Sequence, residues 1–301
     1  MEIRQLRHFI AAVDAGTLSE AADAVFITQP ALTRSLQNLE SELGVELLQR
    51  LPRGVVATEA GQLLYRHANL VLNEVSKIKA DVPQVNKGVT GNLKIGVGAL
   101  FARHIVDDVV WRMASEHSEL SMSISVGFFE ELMQQLVDGS LDVVFSNLPS
   151  VKVPEGLIVE PLSDLTVVFV VNKEHPFADK ESIDIKDLET GRWVIVDQPH
   201  ASEMISQFFA AQGINTPANL VRTNSLGLIS SLLRKGGFIS VLPRHLLNQY
   251  GSGDELVELK LSSPKITRKF GLIYREDIAG RPALDPFIVG IRDACAKIEA
   301  N

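Results

Sequence analysis

The sequence holds a single cysteine, Cys295, in 301 residues. An internal disulfide is therefore excluded, and with it a paired-thiol redox sensor or a multi-cysteine zinc site. The seven histidines are scattered, and no pair at metal-ligand spacing is backed by a third candidate. A Gly-x-Ser-x-Gly elbow, a phosphate loop and a His-Glu-x-x-His helix are all missing, so the chain reads as a non-enzyme needing no cofactor and no metal. No apolar run is long enough to span a bilayer, and the N-terminus lacks a signal peptide's apolar stretch. A cytoplasmic protein with no membrane contact is the expectation. An excess of basic residues is missing too, for the net charge is -8. Residues 1–90 are close to neutral, with nine Lys/Arg against ten Asp/Glu, and the remainder carries a net -7. The chain has no basic tail. Any affinity for DNA must come from a few placed groups and from dimerisation.

What is present is organised around Thr28-Gln29-Pro30-Ala31-Leu32-Thr33-Arg34-Ser35-Leu36-Gln37-Asn38-Leu39-Glu40. Leu32, Leu36, Leu39 and Leu43 step along one face of an α-helix. Thr28 is placed to cap it through its hydroxyl, and Pro30 falls in the first turn, where a missing N–H costs nothing. The opposite face carries Gln29, Thr33, Arg34 and Gln37, the side chains that pair with bases and phosphates in a major groove. Upstream, Leu6, Phe9, Ile10 and Val13 mark a helix ending at Gly16, and Thr17 opens a short Ala-rich helix through Phe26. Helix, short helix, tight turn and polar-faced helix is the helix-turn-helix order. Downstream, 47–58 reads as a two-stranded wing whose Pro/Gly tip is flanked by Arg50 and Arg53, suited to phosphate or minor-groove contact.

These motifs resemble the LysR-type transcriptional regulators of bacteria. Leu6-Arg7-His8-Phe9, Gly16-Thr17-Leu18-Ser19-Glu20-Ala21-Ala22, Thr28 to Arg34, Leu39 to Gly44, Leu47 to Arg50 and Thr58-Glu59-Ala60-Gly61 carry the resemblance. Leu48 stands where the family usually has Phe, and Ala57 where it usually has Leu. The resemblance implies DNA contact by Thr28, Gln29, Pro30, Thr33, Arg34 and Gln37, with Arg53 from the wing. It also implies a small-molecule effector, a two-fold symmetric double-stranded DNA site and a homodimer joining into a homotetramer, and it leaves room for a contact with RNA polymerase.

From Thr58 the pattern is helical to about Val82. Leu64, Ala68, Val71, Val75, Ile78 and Val82 form an unbroken heptad stripe, the seam of a coiled-coil dimer. Pro83 ends it, and Asn86 to Gly91 is a polar hinge. From Leu93 onward strands and helices alternate, which means a parallel-rich α/β architecture covered by helices on both faces. The expected division is a winged helix-turn-helix over 1–58, a linker helix and hinge over 59–91, and an effector domain over 92–301. Its first lobe takes 92–162 and 268–301, and its second 163–267. Two such lobes are similar to the periplasmic-binding-protein fold that the family uses for effectors.

A ligand in such sheets sits beyond the carboxyl ends of the strands. That places Ala99, Leu100, Phe101, Phe128, Phe129 and Asn147 in the first lobe's wall and His200, Ser202 and Thr223 in the second's. Relatives often place Ser or Thr just after the first strand to hold a carboxylate; Ala99, Leu100 and Phe101 stand there instead. The expected effector has a ring or alkyl body. A DNA-binding architectural protein that ignores small molecules is the rival reading, and its apolar residues would then fill the cleft.

Overall fold

The structure is a computed structural model that describes residues 1–82, 89–102, 105–149, 153–247, 255–261 and 266–299, without the side chains of 80, 81, 199, 200, 298 and 299. The part of the expected hinge from Asn86 to Gly88 lies outside the described residues.

Three helices and a hairpin make the N-terminal unit. Helix α1 (Ile3–Ala15) buries Leu6, Phe9 and Ala12 and ends where Gly16 turns left-handed at φ 68°. Helix α2 (Leu18–Ala24) is capped by the Thr17 hydroxyl, which accepts the Glu20 N–H. Its Ala21 and Ala22 are fully covered, so small side chains let α1 and α3 (Gln29–Leu43) close over it. Leu32, Leu36 and Leu39 of α3 are buried, whereas Leu43 is exposed, because the last turn runs past the core before Gly44. Strands β1 (Leu48–Leu51) and β2 (Gly54–Ala57) pair antiparallel as the wing. The Val55 N–H donates to the Gly16 carbonyl at 2.7 Å. A Cβ at Gly54 would lie 2.3 Å from that same oxygen, so only glycine lets the wing dock on the α1–α2 turn.

Helix α4 (Glu59–Asp81) begins at Thr58, whose hydroxyl oxygen accepts the Gly61 N–H at 3.0 Å. The heptad stripe divides along its length. Leu64 packs on the core of the N-terminal unit and Ala68 is buried, while Val71, Ile78 and Val82 remain exposed.

The rest is α/β. Strands β3 (Gly91–Gly98), β4 (Leu120–Gly127) and β5 (Val143–Asn147) run parallel, interleaved with helices α5 (Val106–Glu116) and α6 (Phe129–Val137). A second parallel group comprises β7 (Arg192–Val196), β8 (Leu220–Thr223) and β9 (Phe238–Pro243), with helices α7 (Ile185–Glu189), α8 (Pro199–Ala210) and α9 (Leu226–Arg234). Two long antiparallel strands, β6 (Leu157–Asn172) and β11 (Ile266–Arg275), join the groups; β10 (Leu256–Glu258) adds to β6, and the closing helix α10 (Asp285–Glu299) returns to the first group. The strand order β4-β3-β5-β11-β6-β9-β7-β8 makes one hydrogen-bonded sheet rather than two. It still has two lobes, since each half carries its own apolar core on both faces. Along β6 the change of core falls between Leu165 and Val168, a few residues past the expected boundary at 162. Cys295 is buried in the first lobe's core. Among the described residues no helix is long and apolar enough to cross a membrane.

Candidate DNA-binding face and effector cleft

The outer face of α3 is open. Thr28, Gln29, Pro30, Arg34 and Gln37 are exposed and Thr33 half-exposed, and Arg50 and Arg53 are exposed on the wing. Residues 30, 33, 34 and 37 share one side of the helix by its 3.6-residue period. Thr28 departs from expectation: it occupies the cap position, but its hydroxyl makes no capping bond and stays available to a partner. Facing inward, His8 Nδ1 lies 2.8 Å from Ser35 Oγ, which fixes α3 against α1. Burial, and then the charge of Arg4, hold the His8 imidazole below its ordinary pKa.

Helix α4 is fastened at both ends. Near its start, the Tyr65 hydroxyl donates to Asp14 Oδ1 at 2.5 Å. Near its end, Asn73 Nδ2 donates to the Asp138 carbonyl at 3.0 Å, and Lys77 Nζ lies 2.6 Å from Asp142 Oδ1. Asp142 is almost wholly buried, its other oxygen accepts the Lys94 N–H at 2.9 Å, and Arg281 Nη1 stands 3.5 Å away.

A cavity of about 480 Å³ opens between the lobes. The first lobe lines it with Gly98–Phe101, Gly127–Glu130 and Ser146–Pro149, at the ends of β3, β4 and β5. Across from these stand Ile195, Gln198, Ala201, Met204 and Leu226, with Leu165, Val167 and Arg268 contributed by the joining strands. Helices α6 and α8 both start at this cavity, and neither has a side-chain cap on its first turn. Its size suits a drug-sized ligand. Among the described residues no group of three His, Cys, Asp or Glu could hold a metal.

Two domain families account for this architecture. Residues 3–62 match the bacterial regulatory helix-turn-helix protein of the lysR family, and residues 86–296 match the LysR substrate binding domain. The chain belongs to the LysR family. As such it is a DNA-binding transcriptional regulator. Its relatives include the transcriptional dual regulator OxyR of Escherichia coli K12, 29% identical over 275 residues that cover 91% of this chain and 90% of OxyR. The SDS degradation transcriptional activation protein of a Pseudomonas strain is 25% identical over 286 residues, covering 94% and 93%. Full-length OxyR of Pseudomonas aeruginosa, solved as a cysteine-to-aspartate variant, shares the fold at a TM-score of 0.70 with 23% identity, over 97% of this chain and 95% of that one. The LysR regulator CbnR on its target DNA superposes at 0.69 with 20% identity, over 98% and 100%.

In this LysR-family chain the cavity brings together Ala99, Leu100, Phe101, Phe128, Phe129 and Asn147. Phe101 is fully buried, edge-on to Phe145 at 5.2 Å and stacked on Phe270 at 5.3 Å, so it serves the core as well as the wall. Ser202 and Thr223 do not line the cavity. Helix α8 starts at Pro199, which turns Ala201, Met204 and Ile205 inward, and the Thr223 hydroxyl oxygen accepts the Ser225 N–H at 3.1 Å. The side chain of His200 lies outside the described residues. Arg268 and Met204 went unnoticed in the sequence, whereas Gln198 lies in the strand-end segment 197–202 expected to face the ligand. Proline at the first helical position was the available signal for the phase of α8.

Proposed function

We propose that this LysR-family regulator reads a two-fold symmetric double-stranded operator as a dimer. Thr28, Gln29, Pro30, Thr33, Arg34 and Gln37 enter the major groove, and Arg50 and Arg53 meet the backbone or minor groove. The carrying observation is the polar, solvent-open face of α3 beside an arginine-tipped wing. Dimerisation runs along the face of α4 that exposes Val71, Ile78 and Val82. Exposed Trp111 on α5 and Ile124 and Val126 on the edge strand β4 support a second interface that completes a tetramer. The protein acts in the cytoplasm and performs no reaction of its own.

The regulatory input is a small molecule with a ring or alkyl body, bound between the lobes by Ala99, Leu100, Phe101, Phe128, Phe129 and Asn147. Several relatives are named hydrogen peroxide-inducible genes activators. Here the sole thiol, Cys295, is buried in a lobe core, so the input is assigned to the cleft and not to sulfur chemistry. The effector must prefer one pose of the lobes over another, and its binding shifts the population of assemblies accordingly. The test is thermal unfolding against carboxylates, sugars, amino acids and apolar signals. A ligand at a hundred times its Kd stabilises by about 2.7 kcal/mol. The shift should vanish on Phe128→Ala and be accompanied by altered operator affinity. A hit that leaves operator binding unchanged would refute the coupling.

A further inference from the structure

We infer that the cleft is built for an anionic amphiphile: an apolar body with one carboxylate, sulfate or phosphate head, which Arg268 receives. This rests on the cleft being the effector site. Arg268 lies on β11 directly opposite Leu165 of β6. Two residues on, Phe270 stands opposite Asn147 of β5. By the two-residue alternation of strands, Arg268, Phe270 and Asn147 rise on the same face, with Asn147 a diagonal neighbour of Arg268. Arg268 is half-buried and lines the cavity, and among the described residues its guanidinium has no hydrogen-bond or ion-pair partner. A partly desolvated guanidinium with no acceptor of its own is an arrangement that an anionic head completes, the guanidinium donating a forked pair of hydrogen bonds.

The rest of the cavity fits the same ligand. Leu100, Phe128, Phe129, Ile195 and Met204 offer an apolar wall to a chain or ring. The starts of α6 and α8 face the cavity without side-chain caps and add partial positive charge. The acidic residues that line it, Glu130 and Glu203, are solvent-exposed, and Glu203 accepts from Gln207 Nε2 at 2.9 Å. They leave the joining strands, where Arg268 sits, as the place for negative charge. A cationic amphiphile would instead sit with its head at this acidic rim.

The test uses the full-length protein and four probes with one tail and different heads: decanoate, decyl sulfate, decanol and decyltrimethylammonium, each titrated below its micelle concentration. Wild type should bind the two anions about tenfold or more tightly than decanol. Arg268→Gln should level the series while leaving the unliganded melting temperature in place, and Arg268→Lys should restore part of the preference. Leu100→Trp should abolish binding of every probe. Equal affinity for decanol and decanoate, lost on Leu100→Trp, overturns the anionic head and leaves the effector cleft standing. Preference for the cation does the same. Binding that survives both Arg268→Gln and Leu100→Trp places the ligand elsewhere and overturns the cleft as well. If wild type binds none of the four, the amphiphile inference fails, while the broader ligand panel still decides the effector site.

Discussion

Lys77→Met probes the joint between the dimerisation helix and the first lobe. Lys77 and Asp142 bring opposite charges within 2.6 Å at side chains only 10% and 1% exposed. Nζ makes no aligned hydrogen bond, so the attraction is a close charge contact. Removing one partner of a buried pair costs about 3–5 kcal/mol, because the other is left uncompensated. Asp142 would keep the Lys94 N–H at 2.9 Å and Arg281 at 3.5 Å, which puts the expected loss near the bottom of that range, about 3 kcal/mol. At about 2–4 °C per kcal/mol for a unit of this size, the melting temperature should fall by roughly 6–12 °C. Asp142→Asn keeps an acceptor for the Lys94 amide while removing the charge. Combined with Lys77→Met it should recover much of the loss, giving a coupling of about 1.5 kcal/mol or more in a double-mutant cycle followed by thermal and urea unfolding. A Lys77→Met protein melting within about 1 °C of wild type, or a coupling below about 0.5 kcal/mol, would refute the reasoning.

Other expectations concern the DNA heads and the dimer. Arg34→Ala should weaken specific operator binding by about 1–3 kcal/mol and relax sequence preference, whereas Arg53→Ala should lower affinity evenly across sequences and flatten its salt dependence; gel-shift titrations at several salt concentrations distinguish them, and negligible effects from both would sink the assignment. His8 is held below its unfolded pKa of 6.5, so the unfolded chain binds more protons as the medium acidifies. The stabilisation from a neutral His8 is therefore present above pH 6.5 and is lost as the pH falls below it. His8→Gln should flatten the stability of the N-terminal unit between pH 7.5 and 5.5, and an unchanged slope there would argue against it. Ile78→Asp with Val82→Asp should convert the α4 dimer to monomers in sedimentation at micromolar protein; an intact dimer would mean that α4 pairs by another face.

The N-terminal unit was legible almost to the residue because its signals are local. Gly16, Thr17, Pro30 and Thr58 punctuate helices by their own backbone chemistry, and Leu32, Leu36 and Leu39 repeat at the helical period. The α/β alternation was visible for the same reason. What stayed hidden depends on pairing between distant segments. The first half of β6, from Leu157 to Leu165, carries Pro161, Ser163 and Asp164 and looks like a loop; it is a strand because β11 pairs with it. That pairing carries Arg268 to the cleft. The seam of α4 was read as a single face, yet Leu64 is claimed by the core of the N-terminal unit, a contact that no repeat in the helix announces.

The two fastenings of α4 make it a lever. Its 23 residues extend about 35 Å at 1.5 Å per residue, with the first lobe at one end and the DNA head at the other. Lys77 lies about 27 Å from the start of the helix at that rise, so a tilt of about 7° at the Lys77–Asp142 joint sweeps the head through about 3 Å, close to the 3.4 Å rise of one base pair. A lobe movement too small to open the cleft visibly is thus enough to bring two recognition helices into step with an operator, or to put them one base pair out of it.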